Sequence, residues 1–235
     1  KIQANMNKAH RDRIAFMRIV SGRFDADKEV YHVQGGKKLR LSRPQQLMAA
    51  EREIIEEAYA GDIIGVFDPG IFSIGDTLCA PGKKFRFDPI PTFAPEHFKR
   101  VRSLDTMKRK QFLKGMEQIA QEGAIQIFKT PYTGMEEVIV GVVGTLQFDV
   151  LEYRLKNEYN VELYMEGLPY EYLRWIETDD GEPVKEEDLI LGTDVKLVED
   201  YKGNQLLLFG SQWAIGWTEE RNKNLTFHEF GGTKF

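Results

Sequence analysis

The stretch from Glu137 to Arg174 constrains the fold more than any other part of the chain, because it reads as strand, tight turn, helix and strand in succession. Its first residues are rich in β-branched side chains, which favour an extended strand, and Gly144 allows the chain to turn. Thr145 is predicted to cap the helix that follows. Apolar residues recur along that helix at the spacing of one buried face, at Phe148, Leu151, Leu155 and Tyr159. Since none of these residues is a nucleophile or a metal ligand, the stretch is predicted to be architectural.

Length and composition bound the class of protein. With 235 residues, of which 42% are apolar and 29% charged, the chain can form one large or two ordinary soluble domains. No apolar run is long enough to span a bilayer, and no secretory signal is visible. The single cysteine, Cys79, excludes an internal disulfide and a multi-cysteine metal site, which is typical of the cytoplasm. The chain begins KIQANM without an initiator methionine, so we expect it to be a piece of a longer protein.

Charge is distributed unevenly, although the net charge is only −5. Residues 83–114 contain ten Lys or Arg and three acids, a net charge of +7. Residues 177–200 contain ten acids and two lysines, a net charge of −8. Such asymmetry marks one surface for a polyanion and another for water or a basic partner. Two solvated surfaces without a partner explain the charges equally well.

Residues 1–88 are predicted to form a small closed β barrel. Gly35-Gly36 joins two short extended segments as a hairpin, and Asp68-Pro69-Gly70 turns the chain again. Many short strands with turn residues at regular spacing are typical of a closed barrel. Residues 45–59 have helical propensity, but within a barrel we favour mostly extended structure for them.

A linker at residues 88–91, with two prolines, separates the barrel from an α/β pattern. Asp105 is predicted to cap a helix over residues 106–121, with a strand on either side of it. Together with the strand–turn–helix–strand stretch this gives the order β-α-β-β-α-β over residues 89–177. That order is the split βαβ pattern of an α+β, ferredoxin-like domain.

Residues 178–235 are predicted to be a C-terminal extension that packs on the ferredoxin-like domain. Residues 194–200 and 205–209 flank a glycine-containing turn and predict a hairpin. A helix follows, with Trp213 and Trp217 one turn apart on one side, and then a last strand. No motif in this part points to a function.

The sequence contains no catalytic constellation. Its four histidines are scattered, without the spacing of a metal site. Residues 70–77 match the spacing of a phosphate loop, but Asp76 stands where the lysine that neutralises phosphate must be. Residues 62–65 fit the short D-x-x-G pattern, and residues 222–225 differ from N-K-x-D by one residue, but neither has the strand–loop–helix context. The chain by itself is therefore predicted neither to bind GTP nor to hydrolyse it.

The chain resembles translational GTPases in both of its parts. In the barrel, a resemblance to the second domain of ribosome-associated translational GTPases rests on HRDRIAFMRIVSGRF from His10 and GDIIGVFDPGIFSIGDTL from Gly61. In the α/β part, a resemblance to the third domain of the bacterial peptide chain release factor 3 family rests on PTFAPEHFKRVRSLDTMKRK from Pro91 and VGVVGTLQFDVLEYRLKNEYNVE from Val140. The resemblance is strong over residues 1–177 and weak beyond them.

The resemblance implies a GTPase of translation termination that helps class I release factors leave the ribosome and recycle. The GTP-binding domain, with GTP or GDP and Mg²⁺, would precede Lys1, so this part would hold no cofactor, no metal and no catalytic residue. The barrel would contact small-subunit ribosomal RNA, and the α/β domain would contact small-subunit protein and RNA. Both would relay the nucleotide state of the missing domain. We expect a cytoplasmic monomer that binds neither DNA nor a membrane.

Basic side chains are the expected contacts with ribosomal RNA, because Lys and Arg bind backbone phosphates without a sequence code. The residues that we single out are Arg23 in the barrel, Lys83, Lys84 and Arg86 before the linker, and Lys108, Arg109 and Lys110 at the start of the first predicted helix. Cations at a helix start oppose the macrodipole, at a cost of about 0.3–1 kcal/mol that a phosphate could offset. For each of these residues, an ordinary solvated side chain is the alternative.

Two other functions stay open at this point. The first is that of an elongation factor G or a ribosome-protection GTPase, which shares the G-x-L-x-x-D helix start and the N-V-E strand. About sixty residues after Glu177 leave no room for the further domains of those proteins. The second is that of a protein-interaction module without RNA contact, for which no salt-sensitive binding to ribosomes is expected.

Overall fold

The described residues form two compact units. The computed structural model describes residues 1–7, 13–26, 28–41, 44–48, 51–83, 85–88, 90, 92–130 and 137–229. One unit comprises Lys1–Ile90 with Gln121–Gly123, and the other comprises Pro91–Ala120 with Ala124–Phe235. The domain limits predicted after residues 88 and 177 stay predictions. In the part of the chain that the structure describes, no helix has the length and apolar character that crossing a membrane requires.

The first unit consists of short strands in three antiparallel sheets. The strands are β1 (Ile2–Asn7), β2 (Arg13–Arg18), β3 (Arg23–Asp25), β4 (Glu29–His32), β5 (Lys37–Arg40), β6 (Gln45–Met48), β7 (Glu51–Ile54), β8 (Glu57–Tyr59), β9 (Ile63–Asp68) and β10 (Leu78–Cys79). They are ordered β1-β2-β9-β6-β7, β10-β4-β5 and β3-β8. A single apolar cluster, with Ala15, Ile64 and Phe72 among its buried members, joins the sheets as the core of the predicted barrel.

The predicted local structure of this unit is confirmed. Strands β4 and β5 pair across Gly35-Gly36, where Gly36 has a φ of +62° that favours glycine. The described residues between 45 and 59 contain three strands and no helix. Pairing within the barrel thus outweighs the helical propensity of this segment.

The second unit combines helices with one large sheet. Its elements are β11 (His97–Ser103), α1 (Arg109–Gln121), β12 (Gln126–Lys129), β13 (Glu137–Val142), α2 (Leu146–Tyr159), β14 (Leu163–Gly167), β15 (Tyr172–Thr178), β16 (Val195–Asp200), β17 (Gln205–Phe209), α3 (Gln212–Arg221) and β18 (Leu225–His228), with short 3-10 helices at Thr106–Lys108 and Glu186–Asp188. All the strands belong to one antiparallel sheet of order β14-β11-β13-β12-β16-β17-β15-β18.

The first half of this sheet has the predicted ferredoxin-like connectivity. Its strands, counted along the chain, lie side by side in the order fourth, first, third, second. Phe112 of α1 and Phe148 of α2 pack with strand residues such as Val101, Val140 and Leu163 in one core cluster. Both helices therefore cover the same face of the sheet, as the split βαβ pattern requires.

The second half of the sheet is built by residues beyond the ferredoxin-like pattern. Strands β12 and β16 join the halves through the pairs Phe128 with Asp200 and Lys129 with Glu199. Helix α3 covers one face of the second half. The opposite face carries a cluster drawn from both halves, made of Phe98, Phe128, Ile139, Leu173, Trp175, Val198, Leu206 and Leu208. The hairpin β16–β17, the helix α3 and the strand β18 confirm the elements predicted for this part.

The two helices of the first half begin differently. Asp105 accepts a hydrogen bond from a backbone N–H at 2.9 Å, so the predicted cap is confirmed. The prediction that Thr145 caps α2 is wrong, because its side chain makes no capping hydrogen bond. Gln147 Oε1 instead accepts hydrogen bonds from the N–H groups of Val143 and Gly144, each at 3.0 Å. The Gln147 amide thus satisfies N–H groups that precede the helix, whereas a hydroxyl cap at Thr145 would accept from N–H groups of the first turn.

Candidate functional site

The loop at residues 70–77, which has phosphate-loop spacing, binds carboxylates of its own unit. Asp68 Oδ1 accepts hydrogen bonds from the three N–H groups of residues 70–72 at 2.8–3.2 Å. Buried Asp76 contacts His32 (Oδ2–Nε2, 2.8 Å) and accepts a further loop N–H. The backbone N–H groups that such a loop would present to an anion are therefore already hydrogen-bonded to carboxylates of the protein. Among the described residues, no group of three or more His, Cys, Asp or Glu could hold a metal ion.

Arg23, the basic residue singled out in the barrel, lies in an exposed ion-pair cluster. Its guanidinium contacts Asp25 (Nη2–Oδ1, 2.5 Å) and Glu57 (Nη1–Oε2, 3.3 Å). Hydrogen bonds from Lys28 and then from Arg23 lower the pKa of Asp25, and the bond to Asp25 raises the pKa of Arg23. Solvent screens these pairs. A phosphate that binds Arg23 must compete with two carboxylates.

The basic residues before the linker lie beside an exposed aromatic ring. Lys83 and Arg86 are exposed, whereas Lys84 lies outside the described residues. Phe85 is also exposed and packs edge-to-face on Phe87, with ring centroids 4.7 Å apart. Cations that alternate with an exposed ring suit both phosphate contact and base stacking. The sequence analysis missed Phe85, although the alternation in KFRF could have indicated it.

The three basic residues at the start of α1 differ in their surroundings. Lys108 Nζ donates a hydrogen bond to the carbonyl oxygen of Asn160 at 2.7 Å, at the end of α2. Arg109 and Lys110 lie in the first turn of α1 and are exposed. The preceding Met107 is 90% exposed. Met107, Arg109 and Lys110 together form the α1 start surface, which combines two cations with an apolar side chain.

The basic side chains of β11 contact aromatic rings and a carboxylate of the second unit. Lys99 Nζ lies over the ring of Phe148 at 4.5 Å, and the guanidinium of Arg102 lies over the ring of Tyr164 at 4.6 Å. Arg100 Nη1 contacts a glutamate carboxylate on β14 at 3.4 Å. The net charge of +7 counted over residues 83–114 therefore overstates the basic surface that is open to a partner.

Helix α2 carries apolar side chains on both faces. Leu146, Val150 and Tyr153 are 75%, 50% and 68% exposed. They lie on the side opposite to the buried residues Phe148 and Leu151, since they follow one another at helical spacing. We call them the outer α2 stripe. The sequence analysis missed this stripe because the buried face alone accounted for the helix, although apolar residues on two faces were the available signal.

Comparison with known protein families shows which family the chain belongs to. The family described as class II release factor RF3, C-terminal domain, matches residues 87–219, which is more than half of the chain. The chain belongs to this family. Residues 1–81 match the family described as elongation factor G domain 2. The release factor 3 family therefore covers the ferredoxin-like half-sheet and α3, and the barrel is of the translation-factor type.

Full-length relatives carry the same family name. The chain is 55% identical over 227 residues to peptide chain release factor 3 of Symbiobacterium thermophilum, covering 97% of this chain and 42% of that protein. It is 46% identical to the proteins of that name from Gloeobacter violaceus and Listeria monocytogenes, covering 97% and 96% of this chain and 43% and 42% of theirs. The chain thus spans less than half of the length of these relatives. The resemblance stated from the sequence is confirmed.

A solved structure supports the fold alone. A protein from Thermus thermophilus superimposes with a TM-score of 0.54 at 15% sequence identity. The match covers 84% of this chain and 29% of the other. Together with the two family matches, it confirms the predicted β barrel followed by an α+β domain.

Proposed function

We propose that this chain is the part of a release factor 3 GTPase that docks on the bacterial ribosome and so promotes recycling of class I release factors. The relatives named peptide chain release factor 3 support a role in translation termination. The observation that carries the docking role is the α1 start surface, where Arg109 and Lys110 are exposed beside Met107. The neighbouring Lys108 differs from them in that its side chain donates to a carbonyl oxygen at the end of α2.

The proposed RNA contacts are made by cations at three places in the chain. Lys and Arg bind phosphates of any sequence, and each contact releases counterions from the RNA. Arg23 would exchange its carboxylates for phosphate, and Lys83 with Arg86 would bind phosphates while Phe85 stacks on a base. Lys84 stays a prediction for the same surface.

The proposed protein contact uses the outer α2 stripe. Three large apolar side chains in a row on one exposed helix face are the pattern of a helix that packs on another protein. A ribosomal protein of the small subunit is the partner that the family resemblance implies. The chain would meet it as a monomer in the cytoplasm.

In this proposal, GTP and Mg²⁺ bind to another domain of the whole protein, and the two units described here relay its nucleotide state. Support comes from the loop at residues 70–77, whose N–H groups bind Asp68 and Asp76. Calorimetric titration of the purified chain with GTP tests this. Binding with micromolar affinity would contradict the proposal.

Co-sedimentation with small ribosomal subunits at low and at physiological salt tests the docking role. The variant Arg109→Glu/Lys110→Glu should bind more weakly, and the slope of log K against log salt should fall by about one to two. The matched control is Lys37→Glu/Lys38→Glu in the exposed hairpin strand β5, which changes the net charge equally. The control should bind more tightly than the α1 variant.

A protein-interaction module without RNA contact is the second candidate, and the outer α2 stripe favours it. In that case Leu146→Ser/Val150→Ser abolishes sedimentation with the subunits, while the α1 charge reversal and salt leave it unchanged. The ribosome-docking proposal requires an effect of both salt and charge.

A further inference from the structure

Helix α3 has an exposed face that the proposed function does not use. Its other face is buried on the sheet through Ala214, Ile215 and Thr218. On the outer side, Trp213 is 72% exposed, and its ring centroid lies 6.3 Å from that of half-buried Trp217. Two indole rings at positions i and i+4 thus form a step along the outside of the helix.

An open notch lies next to these rings. Gly216 has a conventional helical backbone, and apart from its chain neighbours and the helix's own backbone no atom lies within 4 Å of a Cβ built on it. The glycine therefore lowers helix stability relative to alanine without a packing reason. Glu220 lies one turn further along the same side, is 80% exposed and contacts Arg221 (Oε2–Nη1, 3.9 Å). We call the group of Trp213, Gly216, Trp217 and Glu220 the α3 notch.

The chemistry of the notch suits a planar cation. An indole face attracts a guanidinium, and a nearby carboxylate accepts its hydrogen bonds. The helix itself provides an example, because the guanidinium carbon of Arg221 lies 4.0 Å from the centroid of the Trp217 ring. The ring of Trp213 is mostly exposed, so a guanidinium from a partner can stack on it in the same way.

The surroundings of the notch are acidic. The segment 177–200, with its net charge of −8, runs beside α3, since Leu189 and Leu191 pack in the same apolar cluster as Ala214. The backbone of Ile190 exchanges two hydrogen bonds with the side chain of Asn222 at the end of α3, at 2.9 Å each. The exposed acids at 186–188 precede this contact directly. Such a field repels RNA and attracts a basic protein segment.

We infer that the α3 notch binds an arginine side chain of a basic protein segment, with the guanidinium stacked on the exposed ring of Trp213. The acidic segment 177–200 draws further Lys and Arg residues of the same partner. This inference does not rest on the ribosome-docking role, because it concerns a different charge sign and a different helix.

Calorimetric titration of the purified chain with an oligoarginine peptide tests the inference, with oligolysine and oligouridylate as comparison ligands. Trp213→Ala should weaken oligoarginine binding about fivefold to tenfold, given the usual strength of a cation–π contact. Gly216→Leu should weaken it similarly because the side chain fills the notch, while it raises the urea midpoint of unfolding. Tyr201→Ala, which removes an exposed aromatic ring from the β16–β17 turn, is the matched control and should not weaken binding.

Two results would overturn the inference. One is oligoarginine affinity that is absent, or that Trp213→Ala and Gly216→Leu leave unchanged. The other is Trp213-dependent binding of oligouridylate that is tighter than that of oligoarginine, which would make the rings a platform for RNA bases. Weaker binding of oligolysine than of oligoarginine supports the stacked guanidinium.

Discussion

Lys108 Nζ donates a hydrogen bond to the backbone carbonyl oxygen of Asn160 at 2.7 Å, and this contact ties the start of α1 to the end of α2. Asn160 has a left-handed backbone, with φ 56° and ψ 41°, and caps α2. The last carbonyl groups of a helix lack partners within it and form the negative end of its dipole. Lys108, which was predicted from the sequence to contact RNA, therefore stabilises the C-terminal end of α2.

Lys108→Ala is expected to lower the free energy of unfolding by about 0.5–1 kcal/mol, because it removes a cation from a helix C-terminus. Lys110→Ala, two residues away and exposed, should change it little. Urea unfolding of both variants measures the difference. Equal stability of the two, with equal loss of ribosome binding, would show that Lys108 acts as a phosphate ligand and not as a cap.

Gln147→Ala is expected to destabilise the chain by about 1–2 kcal/mol, since the amide bonds two N–H groups before α2 and donates to the carbonyl oxygen of Ala124 at 2.7 Å. Thr145→Ala is the matched control and should be nearly neutral, because Thr145 makes no capping hydrogen bond. Denaturant midpoints compare them. A larger loss for Thr145→Ala would restore the hydroxyl cap predicted from the sequence.

Gly141→Ala is expected to cost about 1–3 kcal/mol, because overpacking forces buried neighbours to move. A Cβ at Gly141 would lie 2.6 Å from Cγ of Pro95 and 2.9 Å from Cε2 of Phe128. At Gly144 no atom lies within 4 Å of such a Cβ, so Gly144→Ala should be neutral or slightly stabilising. Thermal unfolding of both variants tests the contrast, and equal midpoints would contradict it.

The carboxyl group of Asp25 is expected to titrate below the ordinary aspartate pKa of about 3.9. Lys28→Ala and Arg23→Ala should each raise this pKa, because the hydrogen bonds from Lys28 and Arg23 are the two largest causes of its depression. Since the folded pKa is depressed, the stabilisation is present above the unfolded pKa and is lost as pH falls through the folded pKa. Carbon-detected NMR titration of Asp25 measures each pKa. An unshifted pKa in the wild-type chain would show that the ion pairs of Asp25 with Arg23 and Lys28 do not form in solution.

Sequence patterns predicted the elements whose signals are local. Asp105 marks the start of the first helix, and Gly35-Gly36 marks a hairpin, because a cap and a turn depend on residues a few positions apart. Thr145 misled because a residue can occupy the capping position without its hydroxyl making the capping hydrogen bond, and only the side-chain geometry shows whether it does. The pairing of β12 with β16 was beyond local signals, since it joins residues about seventy positions apart.

The basic residues were harder to interpret than the fold. Arg23 and Lys108 look alike in a sequence, yet the first pairs with two carboxylates and the second with a carbonyl oxygen. Met107 and Trp213 are candidates for partner contacts because they are exposed, and their exposure cannot be read from the sequence. An amphipathic pattern shows which face is buried, but it does not show what the outer face meets.

The seam between β12 and β16 makes the continuity of the eight-stranded sheet depend on apolar packing. In the described residues, backbone pairing across the seam is limited to two residue pairs, so the shared apolar cluster around Phe98 and Trp175 holds the halves together. Burial of apolar surface stabilises less as water is cooled. Cooling therefore weakens the contact between the halves to the same extent per buried area as it weakens the core of each half.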